Sequence, residues 1–291
     1  MDQSSSFFTT FSGGKTFALD IYFLVFHIVF MKTYEWNAAD YAANSAAQFQ
    51  WASELIEKLS LNGNESVLDV GCGDGKVTAD IAARLPNGSV AGIDSSEEMI
   101  RIAEKSHRAA NLSFRLLDIR DLDARDAFDV MFSNATLHWI RDHRTFLPNM
   151  FAALKKSGRI LLQMGGEGNA RDIVAAAEKV MGRSEWSRFF RDFQFPYGFH
   201  NDTDYRTWLQ DIGFVVDRAE LIAKEMVQPG RPGLAAWIRT TWLPYTQRVP
   251  AHLREQFIDQ LIDNYQVSFP VDDSGNFHVH MVRLEVEAHK E

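Results

Sequence analysis

Residues 65–75 read ESVLDVGCGDG, and this stretch decides the fold. Residues 67–70, VLDV, form a short apolar run of the kind found in a parallel strand that is covered on both faces. The glycines that follow, Gly71, Gly73 and Gly75, remove side chains from the turn after the strand. Backbone without side chains can approach a ligand closely, so the stretch predicts a nucleotide-type binding turn.

The segments downstream indicate which ligand the turn holds. Residues 76–85 are predicted to form a helix, and residues 89–93 a second apolar strand that ends at Asp94. A carboxylate at that position can accept hydrogen bonds from both hydroxyls of a ribose. Asp69, just before the glycines, suits a positively charged amino acid group better than a pyrophosphate. The pattern therefore favours a nucleoside that carries a charged amino acid over a dinucleotide.

These residues, in this order, resemble the class I S-adenosylmethionine-dependent methyltransferases. The likeness covers the glycine motif, the acid Asp94, the pair Asp118-Ile119 after the strand 112–117, and Ser133-Asn134 after the fourth strand. It implies S-adenosylmethionine as cofactor, with S-adenosylhomocysteine as product. It also implies a doubly wound, seven-stranded, mostly parallel α/β sheet of Rossmann-like type. The residues that it assigns to cofactor binding are Asp69, Gly71, Gly73, Asp94, Ser95, Met99, Asp118, Ile119 and Asn134.

Composition narrows the substrate class. The chain has 291 residues, of which 46% are hydrophobic, enough for one large domain or for a domain with a cap. Its net charge of -9 argues against a nucleic-acid substrate, since proteins that bind a phosphate backbone usually carry a basic face. The fourth strand runs into SNATLHW and lacks the Asn-Pro-Pro-aromatic tetrapeptide of amino-methylating DNA enzymes. A small-molecule methyl acceptor is the prediction.

Cysteine and histidine usage point away from thiol and metal chemistry. Cys72 is the single cysteine, which excludes an intramolecular disulfide and fits the cytoplasm. Its place between two glycines of the turn is interpreted as a small-residue position and not as a nucleophile. His278 and His280 alternate on a probable strand without a cysteine or an acid at ligand spacing. No metal site is predicted.

The N-terminal sixty residues fall into two parts. Residues 1–30 form an extension whose apolar run is interrupted by Asp20 and His27 and is too short to span a bilayer, so no stable membrane insertion is expected. Translation starting at Met31 is one interpretation, and a membrane- or partner-binding segment is the other. The methyltransferase domain is assigned to residues 31–291, with residues 34–60 as a lid over the cofactor.

Substrate contacts are predicted in the lid and in a helical cap. The lid offers Tyr34, Trp36 and Tyr41, with ordinary helix packing as the equal alternative. The cap is the helical insert at about residues 230–265, between two strands that close the sheet as an antiparallel pair. Within it, Trp242 is either a substrate contact or a staple to the core, and Arg239 can hold a carboxylate in a bidentate geometry. Arg283 is a second candidate for that role.

His138 is the catalytic candidate. It follows the fourth strand at the cofactor-facing edge of the sheet, where it could serve as a general base for a hydroxyl or carbon acceptor. A carboxylate acceptor needs no base. His138 could also cap a helix or pack beside Trp139, which is itself assigned to the substrate site.

The wider sequence, from about residue 34 to residue 288, resembles the trans-aconitate methyltransferase group. The likeness includes residues 134–139, NATLHW, and the ending 277–287, while residues 166–199 diverge. It implies O-methylation of a small carboxylic acid. C- or N-methylation of another metabolite, a nicotinamide-dependent oxidoreductase and a cofactor-binding protein without catalysis remain as alternatives. The sequence does not indicate the oligomeric state.

Overall fold

The computed structural model describes the chain from Ala46 to Glu291, with side chains from Trp51 onward. The helices are α1 Ala46–Lys58, α2 Lys76–Ala83, α3 Glu97–Ser106, α4 Leu147–Ala153, α5 Arg171–Met181, α6 Asp202–Ile212, α7 Gly230–Thr241, α8 Leu243–Thr246 and α9 Arg254–Ser268. The strands are β1 Ser66–Val70, β2 Ser89–Asp94, β3 Leu112–Leu116, β4 Phe128–Asn134, β5 Leu154–Gly165, β6 Val215–Gln228 and β7 Phe277–His289.

The seven strands form one sheet in the order β3-β2-β1-β4-β5-β7-β6. Strands β1 to β5 are parallel to one another, and β7 lies antiparallel between β5 and β6. The strand order reverses beside β1, so the carboxyl ends of β1 and β4 border the crevice where ligands bind in open parallel sheets. The predicted α/β class and the mostly parallel seven-stranded sheet are confirmed.

Both faces of the sheet are covered by apolar side chains. One face packs under α4 and α6 in a core that includes Met150, Leu209 and Leu284. The other face packs under α1 and α2, where Leu55 and Ile81 are fully buried. The apolar side chains of residues 51–59, in the predicted lid, are thus part of the core of the domain. Tyr34, Trp36 and Tyr41, and the extension 1–30, lie outside the described residues.

The cap is larger than the predicted insert at residues 230–265. A third core joins Ile173 and Val180 of α5, and Trp186, to Ile258 of α9 in the insert. Residues 170–199 therefore contribute to the cap, a role that was not predicted for them. The signal for this was the apolar spacing along α5, which matches the buried face of an amphipathic helix.

Several element boundaries differ from the predictions for local reasons. The helix expected at residues 143–154 is divided into a 3₁₀ turn, His143–Thr145, and α4, which has a proline in its first turn. A proline at that position is favourable because its missing N–H would have no helical partner. Strand β5 begins earlier than expected, at Leu154, across an irregularity in its pairing with β4.

Among the helices of the described part of the chain, none has the length and apolar character that a membrane span requires. The cytoplasmic location stays a prediction.

Candidate functional site

The glycine turn lies at the carboxyl end of β1, where it joins α2. Its glycines all have positive φ, 73° at Gly71, 53° at Gly73 and 81° at Gly75, a region that side chains with a Cβ disfavour. The amides of Gly71 and Cys72 both donate to the carbonyl of Ile93, at 2.7 and 3.0 Å. These two bonds hold the turn against the end of β2.

The three glycines have different roles. A Cβ at Gly71 would lie 2.0 Å from Cγ2 of Thr136, and one at Gly75 would lie 2.6 Å from the Phe114 ring. A Cβ at Gly73 would meet no atom within 4 Å. Among these three, Gly73 alone therefore faces open space. The predicted role of Gly71 in making room for a ligand is corrected, because Thr136 occupies that room.

Asp94, at the end of β2, faces the turn. Its carboxylate accepts hydrogen bonds from the amides of Gly73, at 3.0 Å, and Ser96, at 2.8 Å. Burial raises the pKa of Asp94, and these amide bonds oppose the rise. Each carboxylate oxygen has two acceptor directions, so Asp94 keeps capacity for ribose hydroxyls. Of the neighbouring candidates, Ser95 is exposed and Met99 is buried in the first turn of α3.

Asp118 and Ile119 follow β3, beside Asp94. Asp118 caps the 3₁₀ turn Ile119–Asp121 and holds the Arg120 guanidinium through bonds of 2.9 and 2.6 Å. Burial would raise the pKa of Asp118, but the bonds from Arg120 outweigh it and hold the pKa below its usual value. Ile119 is buried. The pair thus lies where the sequence predicts it, with Arg120 as an unpredicted neighbour.

Asp69 is enclosed beneath the turn. Its side chain is 2% exposed, and Oδ2 accepts a 2.6 Å hydrogen bond from the Thr78 hydroxyl on α2. Burial raises the pKa of Asp69 to about 7, although the bond from Thr78 opposes the rise. The structure does not bring this carboxyl to the surface of the site. Its contact with α2 indicates a role in supporting the turn.

The end of β4 supplies the opposite wall. Ser133 donates to the carbonyl of Val70 at 2.8 Å, and Thr136 donates to the carbonyl of Gly71 at 3.0 Å. Oδ1 of Asn134 is buried and has no hydrogen-bond partner among residues 51–291. A buried amide oxygen without a partner is costly, and a ligand that donates to it would remove the cost. The role of Asn134 in cofactor binding stays a prediction, and this unpartnered oxygen is consistent with it.

His138 lies in the 3₁₀ turn after β4 and is surrounded by aromatic rings. Its ring centroid is 5.9 Å from Trp139, 6.0 Å from Tyr197 and 5.9 Å from Phe199. Burial lowers its pKa well below the usual value, and the charge of Arg283 lowers it further. His138 is therefore uncharged at neutral pH.

A buried histidine network, which was not predicted from the sequence, supports this turn. His143 Nε2 donates to the carbonyl of Leu137 at 2.9 Å, and Nδ1 accepts from the Tyr205 hydroxyl at 3.2 Å. Burial lowers the pKa of His143 to about 3, and nearby His200 contributes to that effect. The network couples α6 to the turn that carries His138.

The two arginine candidates have different surroundings. Arg239 forms a bidentate ion pair with Glu255 of α9, at 2.8 and 2.7 Å, on the partly exposed side of the cap. Its predicted role as the acceptor anchor is not supported, because this pair already engages the guanidinium. Arg283 is 3% exposed, lies over the Trp51 ring at 5.6 Å, and is close enough to His138 to affect its pKa. Of the two arginines, Arg283 is the one for which an effect on His138 is observed.

Aromatic side chains connect His138 to the cap. Tyr197 packs edge-on against Trp139, at 5.1 Å, and against Trp242, at 5.6 Å. Trp242 also contacts Trp237 at 5.6 Å, and its Nε1 has no hydrogen-bond partner within the described chain. The predicted substrate residues Trp139 and Trp242 therefore belong to one aromatic wall, joined through the unpredicted Tyr197.

The residues at the turn fit the predicted cofactor. Open space above Gly73, the acceptor Asp94 and the unpartnered amide oxygen of Asn134 offer a nucleoside both room and hydrogen-bond acceptors. Cys72 is buried, and burial raises the pKa of its thiol far above the usual range, so the thiol is protonated at neutral pH. No group of three metal-ligating side chains occurs in the described part of the chain.

Comparison with known proteins agrees with this geometry. Residues 61–195 match the family model of a methyltransferase domain. The chain carries an S-adenosylmethionine-dependent methyltransferase domain. This methyltransferase is 27% identical to an uncharacterized methyltransferase of Schizosaccharomyces pombe, over 88% of the chain and 98% of the relative. It is also 27% identical to the trans-aconitate 2-methyltransferase of Variovorax paradoxus, over the same shares.

The fold of the methyltransferase also has solved counterparts. The protein BH2331 of Bacillus halodurans superposes with a TM-score of 0.57 at 19% identity, over 82% of this chain and 98% of that one. The family match displaces the nicotinamide-dependent oxidoreductase that the sequence left as an alternative.

Proposed function

We propose that this methyltransferase transfers a methyl group to a carboxylate oxygen of a small molecule. The supporting observation is the buried guanidinium of Arg283 beside an uncharged His138, at the edge of the sheet that faces the cap. A guanidinium at a desolvated site attracts an anion and matches the two oxygens of a carboxylate. The trans-aconitate methyltransferases among the relatives act on such a molecule.

The chain would contribute chiefly by positioning and by excluding water. When bound, S-adenosylmethionine would supply an activated methyl group, and its sulfur would keep the electron pair of the S–CH₃ bond when the carboxylate oxygen takes that methyl. A carboxylate is ionised at neutral pH and needs no base. Arg283 would hold the acceptor, while the rings of Trp139, Tyr197 and Trp242 would exclude water.

The chemical stability of the product tests the acceptor atom. We would incubate the protein with methyl-labelled S-adenosylmethionine and a panel of small di- and tricarboxylic acids that includes trans-aconitate, with the matching amides as controls. Methyl esters release methanol in mild base, whereas N- and C-methyl groups do not. Base-labile label from acids only is the expected result. Base-stable label would contradict the proposal and favour N- or C-methylation.

Arg283 can be tested against a matched arginine. Arg283→Gln removes a charge-assisted pair, and we expect kcat/KM for the acid to fall about 10- to 100-fold with little change in S-adenosylmethionine affinity. In Arg283→Lys, kcat/KM for the acid should fall less than in Arg283→Gln. Arg239→Gln, which breaks the pair with Glu255 on the cap, should leave kcat/KM nearly unchanged. Equal losses from the substitutions at 239 and 283 would assign both effects to structural damage.

A further inference from the structure

The inference concerns how His138 contacts the acceptor, and it rests on the proposed function. The backbone amide of Gly165 donates to Nδ1 of His138 at 3.4 Å. A nitrogen that accepts a hydrogen bond carries no proton. A neutral imidazole has one proton, so the proton of His138 lies on Nε2.

The Nε2–H of His138 is available to a ligand. Within the described chain no residue accepts a hydrogen bond from it, and His138 as a residue is partly exposed. The carbonyl of His138 is meanwhile held by the amide of Gly198 at 2.9 Å, and three aromatic rings surround the imidazole. These contacts fix the direction of the Nε2–H bond.

We propose that His138 binds the acceptor carboxylate as a neutral hydrogen-bond donor through Nε2, and does not act as a general base. A base at Nε2 must have a lone pair there, and the bond from Gly165 leaves that lone pair at Nδ1 instead. The donor and the guanidinium of Arg283 together suit one carboxylate. Each of the two groups can then hold one carboxylate oxygen. Alternatively, the guanidinium holds both oxygens, and one of them also accepts the hydrogen bond from Nε2.

The electrostatic surroundings keep this tautomer neutral. Arg283 and His143 are the titratable groups that act on His138, and burial together with the charge of Arg283 opposes its protonation. His143 is itself neutral at physiological pH, since its pKa is about 3. The positive charge of the site thus stays on Arg283, and His138 adds direction without a second charge.

The tautomer can be read directly in the protein without any acceptor. We would record ¹⁵N–¹H correlation spectra of histidine-labelled protein from pH 5 to pH 8, with His138→Gln to assign the signals. The expected result is a proton on Nε2 and no titration across this range. A proton on Nδ1, or protonation between pH 6 and pH 7, would overturn the inference.

Two substitutions then distinguish a hydrogen-bond donor at His138 from a general base at His138. The amide of Gln can replace an Nε2–H donor but cannot accept a proton. With the acid that is turned over best in the ester screen, we expect His138→Gln to stay within a fewfold of wild type, and His138→Ala to lose about 10- to 100-fold in kcat/KM. Equal losses at equal thermal stability would refute the donor role. A methylated product that is stable in mild base would instead refute the proposed function, and the proton position on His138 that the spectra show would be unaffected.

Discussion

The buried carboxyl of Asp69 makes the stability of the protein depend on pH in a direction that can be worked out. Its pKa is about 7 in the folded protein and about 3.9 in an unfolded chain. Because the folded pKa is raised, the stability that Asp69 contributes is complete below about pH 4. It is lost as the pH rises through the folded pKa, since the unfolded chain releases the proton first.

The size of the loss follows from the shift. A shift of roughly 3 pKa units corresponds to about 4 kcal/mol between pH 3 and pH 9, and to about 2 to 3 kcal/mol between pH 5 and pH 8. Asp69→Asn removes the titration and keeps an acceptor for the Thr78 hydroxyl. Relative to wild type, the free energy of unfolding of this variant should therefore increase by about 2 to 3 kcal/mol from pH 5 to pH 8.

Urea unfolding of both proteins at pH 5, 6, 7 and 8 measures this difference. The contributions of titrating groups that both proteins share cancel when the two free energies of unfolding are subtracted. Asp123→Asn, at an exposed aspartate, is the matched control and should show no such trend. A flat difference for Asp69→Asn would mean that Asp69 ionises at its ordinary pKa in the fold. A difference that falls with pH would reverse the sign and refute the reasoning.

Three further predictions concern the turn and the sheet. Gly71→Ala should destabilise the fold by about 2 kcal/mol or more, and the added substitution Thr136→Gly should restore part of that stability. Gly73→Ala should lose less stability but bind S-adenosylmethionine more weakly. Thermal unfolding measures the first effect, and calorimetric titration measures the second. Asp94→Asn should weaken S-adenosylmethionine binding by about 1 to 3 kcal/mol by calorimetry, and unchanged affinity would remove Asp94 from the site. Glu285→Gln should lower the free energy of unfolding, measured in urea, by about 1 to 3 kcal/mol, because the carboxylate is 1% exposed and pairs with Lys58 and Arg218. An unchanged free energy of unfolding would mean that these ion pairs add no stability.

The cofactor half of the site could be predicted from the sequence because its parts are short and ordered along the chain. Each strand, its turn and the next helix are adjacent in sequence, so Asp94, Asp118 and Asn134 fall at strand ends that the apolar runs already mark. The separate roles of the glycines could not be predicted. The side chain that fills the space at Gly71 comes from Thr136, and no local pattern shows that contact.

The acceptor half depends on contacts between distant segments. Arg239 is in the cap, where the sequence pattern favours an anchor, yet Glu255 on the next long helix engages it. Tyr197 lies in the part of the chain that diverges from the resembled group, so nothing local marked it as the link between Trp139 and Trp242. Pairing partners of this kind appear only when the helices and loops have packed.

The register of β5 against β7 explains why Arg283 lies close enough to His138 to affect its pKa. Gly165 is the direct partner of Arg283 in this antiparallel pair, and its amide donates to His138. Along β7, the even-numbered residues Leu284, Val286 and Ala288 pack in the core under α4 and α6. The odd-numbered residues Phe277, Val279 and Met281 pack under the cap. Side chains alternate between faces, so Arg283 belongs to the cap side. A slip of one residue would turn it to the opposite face, and the same register therefore sets the direction of the His138 donor and the position of the guanidinium.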